Sequence, residues 1–346
     1  MTKIAINGFG RIGRAAYKIA LEKGGYDVVA INDLTDPHVL AHLLKYDTAY
    51  GVYEKDVSVE DGFLVVGNSR SKILSEKEPA KLPWKDLEVD VVLECTGFFV
   101  KNNAAKAHLE AGAKYVIVSA PTKGDTNDIK IFLKGVNHGK YGGEGAISNA
   151  SCTTNCVSPV TAIMHKEFGV LKSVLTTIHA VTSTQNIVDG PPPGGETDLR
   201  RARAANYNMI PTTTGAAIAA TKAIPELEGK FDGIAIRVPI LVGSLSDLTY
   251  VVEKKTTVEE VNAAFVEASK NPFYNGVLAV TEEPLVSSDI VKSPYSAIVD
   301  LGMTKVIDGD LVKVLAWYDN EWGYSARLVE MVDVVMQGEV RTIASG

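Results

Sequence analysis

The sequence predicts an α/β protein in which a parallel-sheet domain is followed by a domain of different texture. Of its 346 residues, 46% are hydrophobic and 22% are charged, and the net charge is −7. Short apolar runs alternate with helical patterns in the first third, as they do when helices connect parallel strands. Beyond about residue 150 the apolar runs lengthen and alternate with polar residues, which favours an α+β domain with a mostly antiparallel sheet.

The elements of the first part are predicted in the order strand, helix, strand. They comprise strands at 3–7, 27–32, 89–95 and 115–119, helices at 11–23, 37–46 and 102–111, and an antiparallel excursion at 57–66. The second part is predicted to contain strands at 170–182, 231–242, 245–255 and 310–318 and helices at 152–168, 214–224, 258–269 and 325–337. We therefore predict one domain over 1–151 and a second over 152–318. The closing helical segment, 319–346, is expected to dock back on the first domain.

The composition excludes several classes of protein. Cys95, Cys152 and Cys156 are too few for a disulfide framework, and with the histidines they form no metal-ligand spacing, so no metal site is expected. The acidic balance argues against a nucleic-acid partner. No uncharged run reaches the ~18 residues of a spanning helix, and no targeting leader is recognised. The sequence therefore predicts a soluble, cytoplasmic protein without a membrane partner.

A glycine motif follows the first predicted strand. Gly8, Gly10 and Gly13 form G-x-G-x-x-G at the point where a helix is predicted to begin. In a Rossmann-type domain these glycines allow a tight turn, close approach to a pyrophosphate and close helix packing. Asp33 ends the second strand, where a carboxylate binds the ribose hydroxyls and disfavours a 2′-phosphate, which points to NAD. The alternative is a glycine-rich turn beside a helix-capping aspartate.

A polar segment surrounds one cysteine of the second part. The segment is Ser148–Cys156, SNASCTTNC, and it places Cys152 in the first turn of a predicted helix. The helix macrodipole is expected to lower the pKa of the thiol there. His179 ends the next strand, and a Cys–His pair is the arrangement of an activated thiol nucleophile. Packing of both residues in the core is the alternative.

Several motifs, taken together and in order, identify a resemblance that covers essentially the whole chain. The chain is similar to the phosphorylating glyceraldehyde-3-phosphate dehydrogenase family. The motifs that carry the resemblance are INGFGRIGR (6–14), SNASCTTNC (148–156), RRARAA (200–205), TTTGAA (212–217), RVP (237–239) and WYDNEWGYS (317–325).

The resemblance implies a role for each matching residue. Cys152 would be the nucleophile and His179 the base. The cofactor NAD would be bound by Gly8, Gly10, Arg11, Ile12, Gly13, Asp33, Thr96, Gly97, Ser119, Asn320 and Tyr324. Thr182 and Arg237 would bind the substrate phosphate. Inorganic phosphate would be bound by Ser151, Thr153, Thr214, Gly215 and Arg201. The family also implies a homotetramer.

Two of the implied anion sites can be argued from the residues themselves. The segment 212–215, TTTG, opens a predicted helix, so hydroxyls and backbone N–H groups converge there on an anion, or simply cap the helix. Arg237 lies in an apolar strand and needs a partner, which is an anion or an edge ion pair. The basic run of Arg200, Arg201 and Arg203 is otherwise a solvated or subunit-contacting face.

Two segments depart from the family pattern. The stretch 182–185 reads TSTQ where the family commonly has a threonine, an Asn-Asp pair and a glutamine, and the loop 189–196, DGPPPGGE, follows it. After RVP, Ile240 and Leu241 replace a Thr-Pro pair. These changes leave the predicted catalytic pair intact and bear on subunit contacts, cofactor choice and aldehyde choice.

The function implied is the NAD-dependent phosphorylating oxidation of glyceraldehyde 3-phosphate to 1,3-bisphosphoglycerate in glycolysis and gluconeogenesis. It would proceed through a thiohemiacetal and a thioester on Cys152. One alternative is an erythrose-4-phosphate dehydrogenase, which shares the thiol and the cofactor. The other is a non-catalytic NAD-binding interaction protein on the same scaffold.

Overall fold

The computed structural model describes residues 1–192 and 197–344. These residues divide into two compact units. Unit 1 comprises residues 1–133, 138–151 and 325–344, and unit 2 comprises residues 134–137 and 152–324. Part of the predicted loop 189–196 (residues 193–196) and the last two residues of the segment 319–346 lie outside the described residues.

Unit 1 is built on a largely parallel sheet. Its helices are α1 (Arg11–Lys23), α2 (Pro37–Lys45) and α3 (Ala107–Glu110). Its strands are β1 (Thr2–Asn7), β2 (Tyr26–Asn32), β3 (Tyr46–Asp47), β4 (Gly51–Val52), β5 (Val57–Glu60), β6 (Phe63–Val66), β7 (Ser69–Leu74), β8 (Val91–Glu94), β9 (Tyr115–Val118), β10 (Lys130–Ile131) and β11 (Ala146–Ser148).

The strand order in this sheet is β10-β11-β9-β8-β1-β2-β7-β6-β5. Every pair from β10 to β7 is parallel, and β7-β6 and β6-β5 are antiparallel. Strands β1 and β8 are almost fully buried, as expected for strands covered on both faces. The antiparallel excursion predicted over 57–66 is thus a hairpin that returns to the parallel sheet through β7.

Unit 2 is built on a second sheet. Its strands are β12 (Val170–Ala180), β13 (Ile210–Thr213), β14 (Phe231–Val238), β15 (Ser244–Val252), β16 (Leu278–Thr281), β17 (Ala297–Ile307) and β18 (Leu311–Tyr318). Its helices are α4 (Cys152–Phe168), α5 (Ala216–Ala223) and α6 (Val258–Lys270), and a last helix, α7 (Trp322–Ala344), begins in it. From Ser325 onward, α7 belongs to unit 1.

The second sheet has the order β13-β14-β12-β15-β18-β17-β16. Its pairs are antiparallel except β12-β14 and β16-β17. One apolar face of α4, including Val157, Val160 and Met164, packs in the same core as Leu248 of β15 and Val314 of β18. The predicted fold class, a Rossmann-type parallel sheet followed by a mostly antiparallel one, is confirmed.

Several predicted elements differ from the structure in their bounds, among them two helices and one strand. The helix predicted at 102–111 is only a 3₁₀ turn followed by α3, because Asn102 and Asn103 adopt left-handed backbone conformations (φ 50° and 63°). The predicted strand 231–242 ends at Val238, since Pro239 has no N–H to continue a ladder. The helix predicted over 214–224 begins only at Ala216.

Helix α7 gives unit 1 a buried apolar face. Leu328, Val329, Val332 and Val335 are fully buried. Among the described residues, none of the helices is both long and apolar enough to span a bilayer.

Candidate functional site

A cleft in unit 1 lies at the carboxyl ends of the central parallel strands. The cavity has a volume of about 390 Å³. It is lined by Asn7, Gly8, Gly10, Asn32, Asp33, Leu34, Glu76, Lys77, Cys95, Thr96, Phe98 and Phe99. A crevice outside the carboxyl ends of parallel strands is where open α/β sheets bind nucleotides.

Close contacts require two of the three glycines of the motif, Gly8 and Gly13. Gly8 has φ +93°, and a Cβ there would lie 2.7 Å from the backbone nitrogen of Thr96. A Cβ on Gly13 would collide with the carbonyl oxygen of Gly8. Around Gly10, by contrast, the space is open, and Gly10 caps α1 without a side-chain hydrogen bond. The backbone at the start of α1 can therefore come close to a bound pyrophosphate.

Asp33 lies beside the glycine motif, at the end of β2. One carboxylate oxygen accepts a hydrogen bond from the Phe9 N–H at 2.7 Å, and the other accepts from the Thr35 N–H at 3.0 Å. The carboxylate is thus fixed at the end of β2 and lines the cavity. An open glycine turn and a fixed acid in one cleft fit the pyrophosphate and the ribose of NAD.

Most of the other residues of unit 1 that were predicted to bind the cofactor do not line the cavity. Arg11 forms an ion pair with Asp47 at 2.7 Å, and Ile12 follows it in the first turn of α1. Neither Gly97 nor Ser119 lies among the described residues that line this cavity. The Ser119 N–H donates to the carbonyl oxygen of Glu94, which places it at the neighbouring strand end.

A buried carboxylate behind the cleft was not anticipated from the sequence. Glu94 is 1% exposed and accepts hydrogen bonds from Asn7 Nδ2 (2.5 Å), Thr96 N (2.8 Å) and Thr96 Oγ1 (2.5 Å). His108, fully buried, places Nε2 3.0 Å from the same carboxylate and accepts from Trp84 Nε1 at 2.9 Å. The Thr96 hydroxyl, which also accepts from the Phe98 N–H, is therefore engaged within the protein.

The predicted catalytic pair forms within unit 2. The Sγ of Cys152, the first residue of α4, lies 3.3 Å from Nε2 of His179 near the end of β12. His179 is 3% exposed, and its Nδ1 lies 2.7 Å from the carbonyl oxygen of Ala180. The parallel register of β12 and β14 pairs His179 with Arg237, whose Nη1 lies 2.5 Å from Nδ1 and donates to the same Ala180 oxygen at 3.0 Å.

Burial controls the protonation of this pair. Burial, followed by the positive charge of Arg237, lowers the pKa of His179 to about 3. The imidazole is therefore neutral at physiological pH and can accept a proton.

The prediction of a lowered pKa for Cys152 is wrong. Burial raises the pKa of the thiol, and this effect outweighs Arg237 and the hydrogen bonds from the first turn of α4, all of which act to lower it. The free pair therefore consists of a thiol beside a neutral imidazole.

A network of three hydroxyl groups lies beside Cys152 and His179. The Tyr318 hydroxyl is buried and lies 2.9 Å from Thr153 Oγ1 and 2.8 Å from Thr177 Oγ1. The Tyr318 and His179 rings meet edge to face with centroids 6.0 Å apart. Thr153, predicted to bind phosphate, is thus hydrogen-bonded to Tyr318.

Two arginines and several threonines form a polar cluster beside His179. Arg201 donates to Thr184 Oγ1 at 2.8 Å and to Thr212 Oγ1 at 3.2 Å, and Thr182 Oγ1 lies 2.9 Å from Thr184 Oγ1. The buried Nε of Arg237 has no hydrogen-bond partner in the described chain. An unpaired buried guanidinium nitrogen and nearby hydroxyls are a suitable environment for an anion.

The segment predicted to open α5 is divided between two elements. Thr212 and Thr213 belong to β13, and Gly215 is the N-cap residue of α5. The Thr214 hydroxyl accepts from the Ala216 N–H at 3.2 Å. Ser151 belongs to unit 1. Thr184, which lies in the segment that departs from the family pattern, was missed as a member of the polar cluster.

Asn320 lies in unit 2, immediately before α7. Its side-chain oxygen accepts a hydrogen bond from Ser244 Oγ at 2.9 Å, and it is 4% exposed. The preceding Asp319 caps α7 by accepting from the N–H groups of Glu321 and Trp322. Tyr324 follows in the first turn of α7 and is 4% exposed.

The described residues contain no cluster of three or more histidine, cysteine or acidic side chains that could hold a metal ion.

In the loop after β12, Asp189 forms an ion pair with Arg203 at 2.8 Å and accepts a hydrogen bond from the Ala204 N–H at 2.9 Å.

Comparison with known proteins finds similarity along nearly the whole chain. A model of the glyceraldehyde 3-phosphate dehydrogenase NAD binding domain matches residues 2–102, and a model of the C-terminal domain of that family matches residues 151–320. A Mycolicibacterium smegmatis protein named glyceraldehyde-3-phosphate dehydrogenase is 51% identical over 342 residues, covering 96% of this chain and 98% of its own. Proteins of the same name from Clostridium acetobutylicum (50% identical, covering 95% and 97%) and Mycobacterium tuberculosis (52%, covering 96% and 98%) are equally similar.

Proposed function

The chain belongs to the glyceraldehyde 3-phosphate dehydrogenase family, and we propose that Cys152 and His179 carry its NAD-dependent oxidation of glyceraldehyde 3-phosphate. The observation that carries this assignment is the 3.3 Å separation of Cys152 Sγ and His179 Nε2. A thiol with a neutral base in hydrogen-bond reach is the arrangement that covalent catalysis on an aldehyde requires.

The first bond forms between the Cys152 sulfur and the aldehyde carbon. The thiol proton ends on the former carbonyl oxygen, which gives a thiohemiacetal. His179 Nε2 then accepts the hydroxyl proton, so that the carbon–oxygen double bond can form as the hydride leaves. NAD, when bound, supplies the acceptor for that hydride. The acyl group is left on Cys152 as a thioester.

Inorganic phosphate completes the turnover by attack on the thioester. A phosphate oxygen bonds to the acyl carbon, the carbon–sulfur bond breaks, and the protonated His179 returns its proton to the sulfur. The product is 1,3-bisphosphoglycerate, so the energy of oxidation is retained in the acyl phosphate. We assign stabilisation of the developing oxyanion to the Cys152 backbone N–H and the His179 side chain.

Arg237 is proposed to bind the substrate phosphate together with Thr182. Its unpaired Nε supports this assignment, since an anion would satisfy it. A phosphate that engages the guanidinium also draws it away from Nδ1 of His179, which is 2.5 Å from Nη1. Nδ1–H then donates to the Ala180 oxygen, and Nε2 is left free to accept a proton.

The attacking phosphate is assigned to a separate set of groups. The residues proposed are Ser151, Thr153, Thr214, Gly215 and Arg201. The N-terminus of α5, where Gly215 supplies no capping side chain, and the charge of Arg201 support this assignment. The cofactor is assigned to the glycine turn and Asp33 in unit 1, and its nicotinamide carboxamide to Asn320 with Tyr324.

Domain roles and assembly are proposed from family membership. Residues 1–151 with the C-terminal segment would form the NAD-binding domain, and residues 152–318 the catalytic domain. We propose a homotetramer that acts in the cytoplasm. A subunit contact beside the loop 189–196 is supported by three exposed apolar side chains, those of Ile187, Val188 and Tyr207.

NADH formation from glyceraldehyde 3-phosphate, with phosphate present and then omitted, tests the proposal. Strong dependence on phosphate is expected, because release of the acyl group needs phosphate as the nucleophile. Equal rates without phosphate would mean that water releases the acyl group, which would overturn the phosphorylating assignment. Comparing erythrose 4-phosphate as the substrate measures the aldehyde preference, and a higher kcat/KM for it would reassign the substrate.

A further inference from the structure

The hydroxyl of Ser244 joins two parts of unit 2 that carry proposed functional groups. Ser244 opens β15 and is fully buried. Its Oγ accepts a hydrogen bond from the Ala180 N–H at 3.1 Å and donates one to Asn320 Oδ1 at 2.9 Å. Ala180 directly follows His179, so one hydroxyl connects the strand end that bears the base to Asn320.

The chain of hydrogen bonds fixes which end of the Asn320 amide faces Ser244. The Ser244 oxygen already accepts from Ala180, so its proton needs an acceptor. Only Oδ1 of Asn320 can serve, because an amide turned by 180° would present a second donor and leave a buried hydroxyl proton unpaired. Nδ2 is then directed away from Ser244 and is the end of the amide that can donate to a ligand.

The position of Ser244 is itself held firmly. Gly243 has φ +92°, and a Cβ there would collide with the carbonyl oxygen of Ser287. On the other side, the antiparallel register pairs Ser244 with Tyr318 of β18. The hydroxyl therefore cannot shift by moving the start of β15 without breaking close backbone contacts.

We propose that Ser244 is a positioning residue for the cofactor: it holds the Asn320 amide so that Nδ2 donates to the oxygen of the nicotinamide carboxamide. This inference rests on the proposed function, which assigns that carboxamide to Asn320. With Nδ2 fixed as a donor, only one end of the carboxamide can pair with it, which selects one orientation of the nicotinamide ring.

Calorimetric titration of the full-length protein with NAD and with ADP-ribose tests the proposal without turnover. ADP-ribose lacks the nicotinamide, so a residue that acts through Asn320 affects only NAD. In Ser244→Ala we expect the Kd for NAD to rise about ten-fold, equivalent to about 1.4 kcal/mol, and the Kd for ADP-ribose to stay unchanged. Retained ADP-ribose binding also shows that the cleft of unit 1 is intact, and the circular dichroism spectrum and Tm of the variant check that unit 2 is folded.

Two further variants control for packing. Ser246→Ala changes an equally buried serine two residues along β15 and should leave both Kd values unchanged. Ser244→Cys keeps the volume with a weaker donor and should give an intermediate loss for NAD. Equal weakening of both ligands, or none, in Ser244→Ala would overturn the proposal.

The double variant separates this inference from the proposed function. Asn320→Ala should weaken NAD relative to ADP-ribose, and adding Ser244→Ala should then cause no further loss. If Asn320→Ala does not weaken NAD selectively, the assignment of Asn320 itself is wrong. If it does, but Ser244→Ala causes the same loss in both backgrounds, only the positioning role is wrong.

Discussion

The Sγ of Cys152 and the Nε2 of His179 lie 3.3 Å apart, although the two residues are 27 positions apart in the chain. The start of α4 and the end of β12 bring them together, and both elements belong to unit 2. Both residues are therefore positioned by the packing of unit 2 alone, and the reactivity of the thiol depends on that packing.

Replacing the proposed nucleophile should separate chemistry from cofactor binding. Cys152→Ala removes the sulfur that is proposed to carry the acyl group, so turnover should fall by at least about a thousand-fold. The Kd for NAD should change less than two-fold, about 0.4 kcal/mol, because the cleft of unit 1 is untouched. Steady-state rates and calorimetric titration measure the two effects. Cys156→Ala, one turn along α4, serves as the control and should retain turnover.

Removing Arg237 should weaken substrate binding and make the thiol less acidic. Arg237→Ala deletes charge-assisted hydrogen bonds to the proposed substrate phosphate, so KM for the aldehyde should rise about a hundred-fold. The positive charge of Arg237 also acts to lower the pKa of Cys152, so alkylation of the variant by iodoacetamide should be slower at a given pH. The exposed Arg200 provides a matched control, and an unchanged KM in Arg237→Ala would contradict the assignment.

The charge of Asp33 can be tested separately from its hydrogen bonds. Asp33→Gly removes both, and Asp33→Asn keeps an acceptor for the Phe9 N–H while removing the charge. The ratio of kcat/KM for NAD to that for NADP should fall in both variants, by about ten-fold or more, because repulsion of the 2′-phosphate is lost. If the ratio is unchanged in both, Asp33 does not discriminate between the cofactors.

His179 should make the protein less stable in acid. Its folded pKa of about 3 lies below the ordinary value of 6.5, so between these pH values the unfolded chain binds a proton that the folded chain does not. Stability therefore falls as the pH drops below 6.5, by about 2 kcal/mol at pH 5.

Thermal denaturation at pH 7 and pH 5 tests this sign. His179→Asn should show a smaller drop in Tm between the two pH values than the parent protein does. The same substitution at the exposed His38 should leave the drop unchanged. An equal drop in His179→Asn and the parent would show that the imidazole is not held neutral.

Much of the fold could be predicted because its signals are local. Helix α1 and helix α4 occupy the predicted residues, since apolar spacing and a glycine or polar start define them. Strands β7 and β17 are absent from the predicted set although each forms a hairpin with a sequence neighbour, because their own alternation of apolar and polar residues is weak. The left-handed Asn102 and Asn103 that shorten α3 also leave no clear pattern in the sequence.

The proximity of Cys152 and His179 could be predicted from the sequence, whereas the electrostatics of the pair could not. The motifs that contain Cys152 and His179 are specific, and comparison with relatives confirms the family. The raised pKa of Cys152 could not be anticipated, since it depends on how far burial outweighs the first turn of α4 and Arg237. The bond from Ser244 to Asn320 joins positions 76 residues apart, so no local pattern shows it.

The buried carboxylate of Glu94 also has a consequence for folding. It fastens Asn7 to a strand that lies 87 residues later in the chain, and it holds the Thr96 amide and His108 as well. These hydrogen bonds join segments that are distant in sequence, so they cannot form while only one strand is in place. Loss of the carboxylate would leave several buried donors without an acceptor at once. The floor of the cleft should therefore open only together with the rest of unit 1, and the Thr96 amide should be among the slowest in the unit to exchange its hydrogen with solvent.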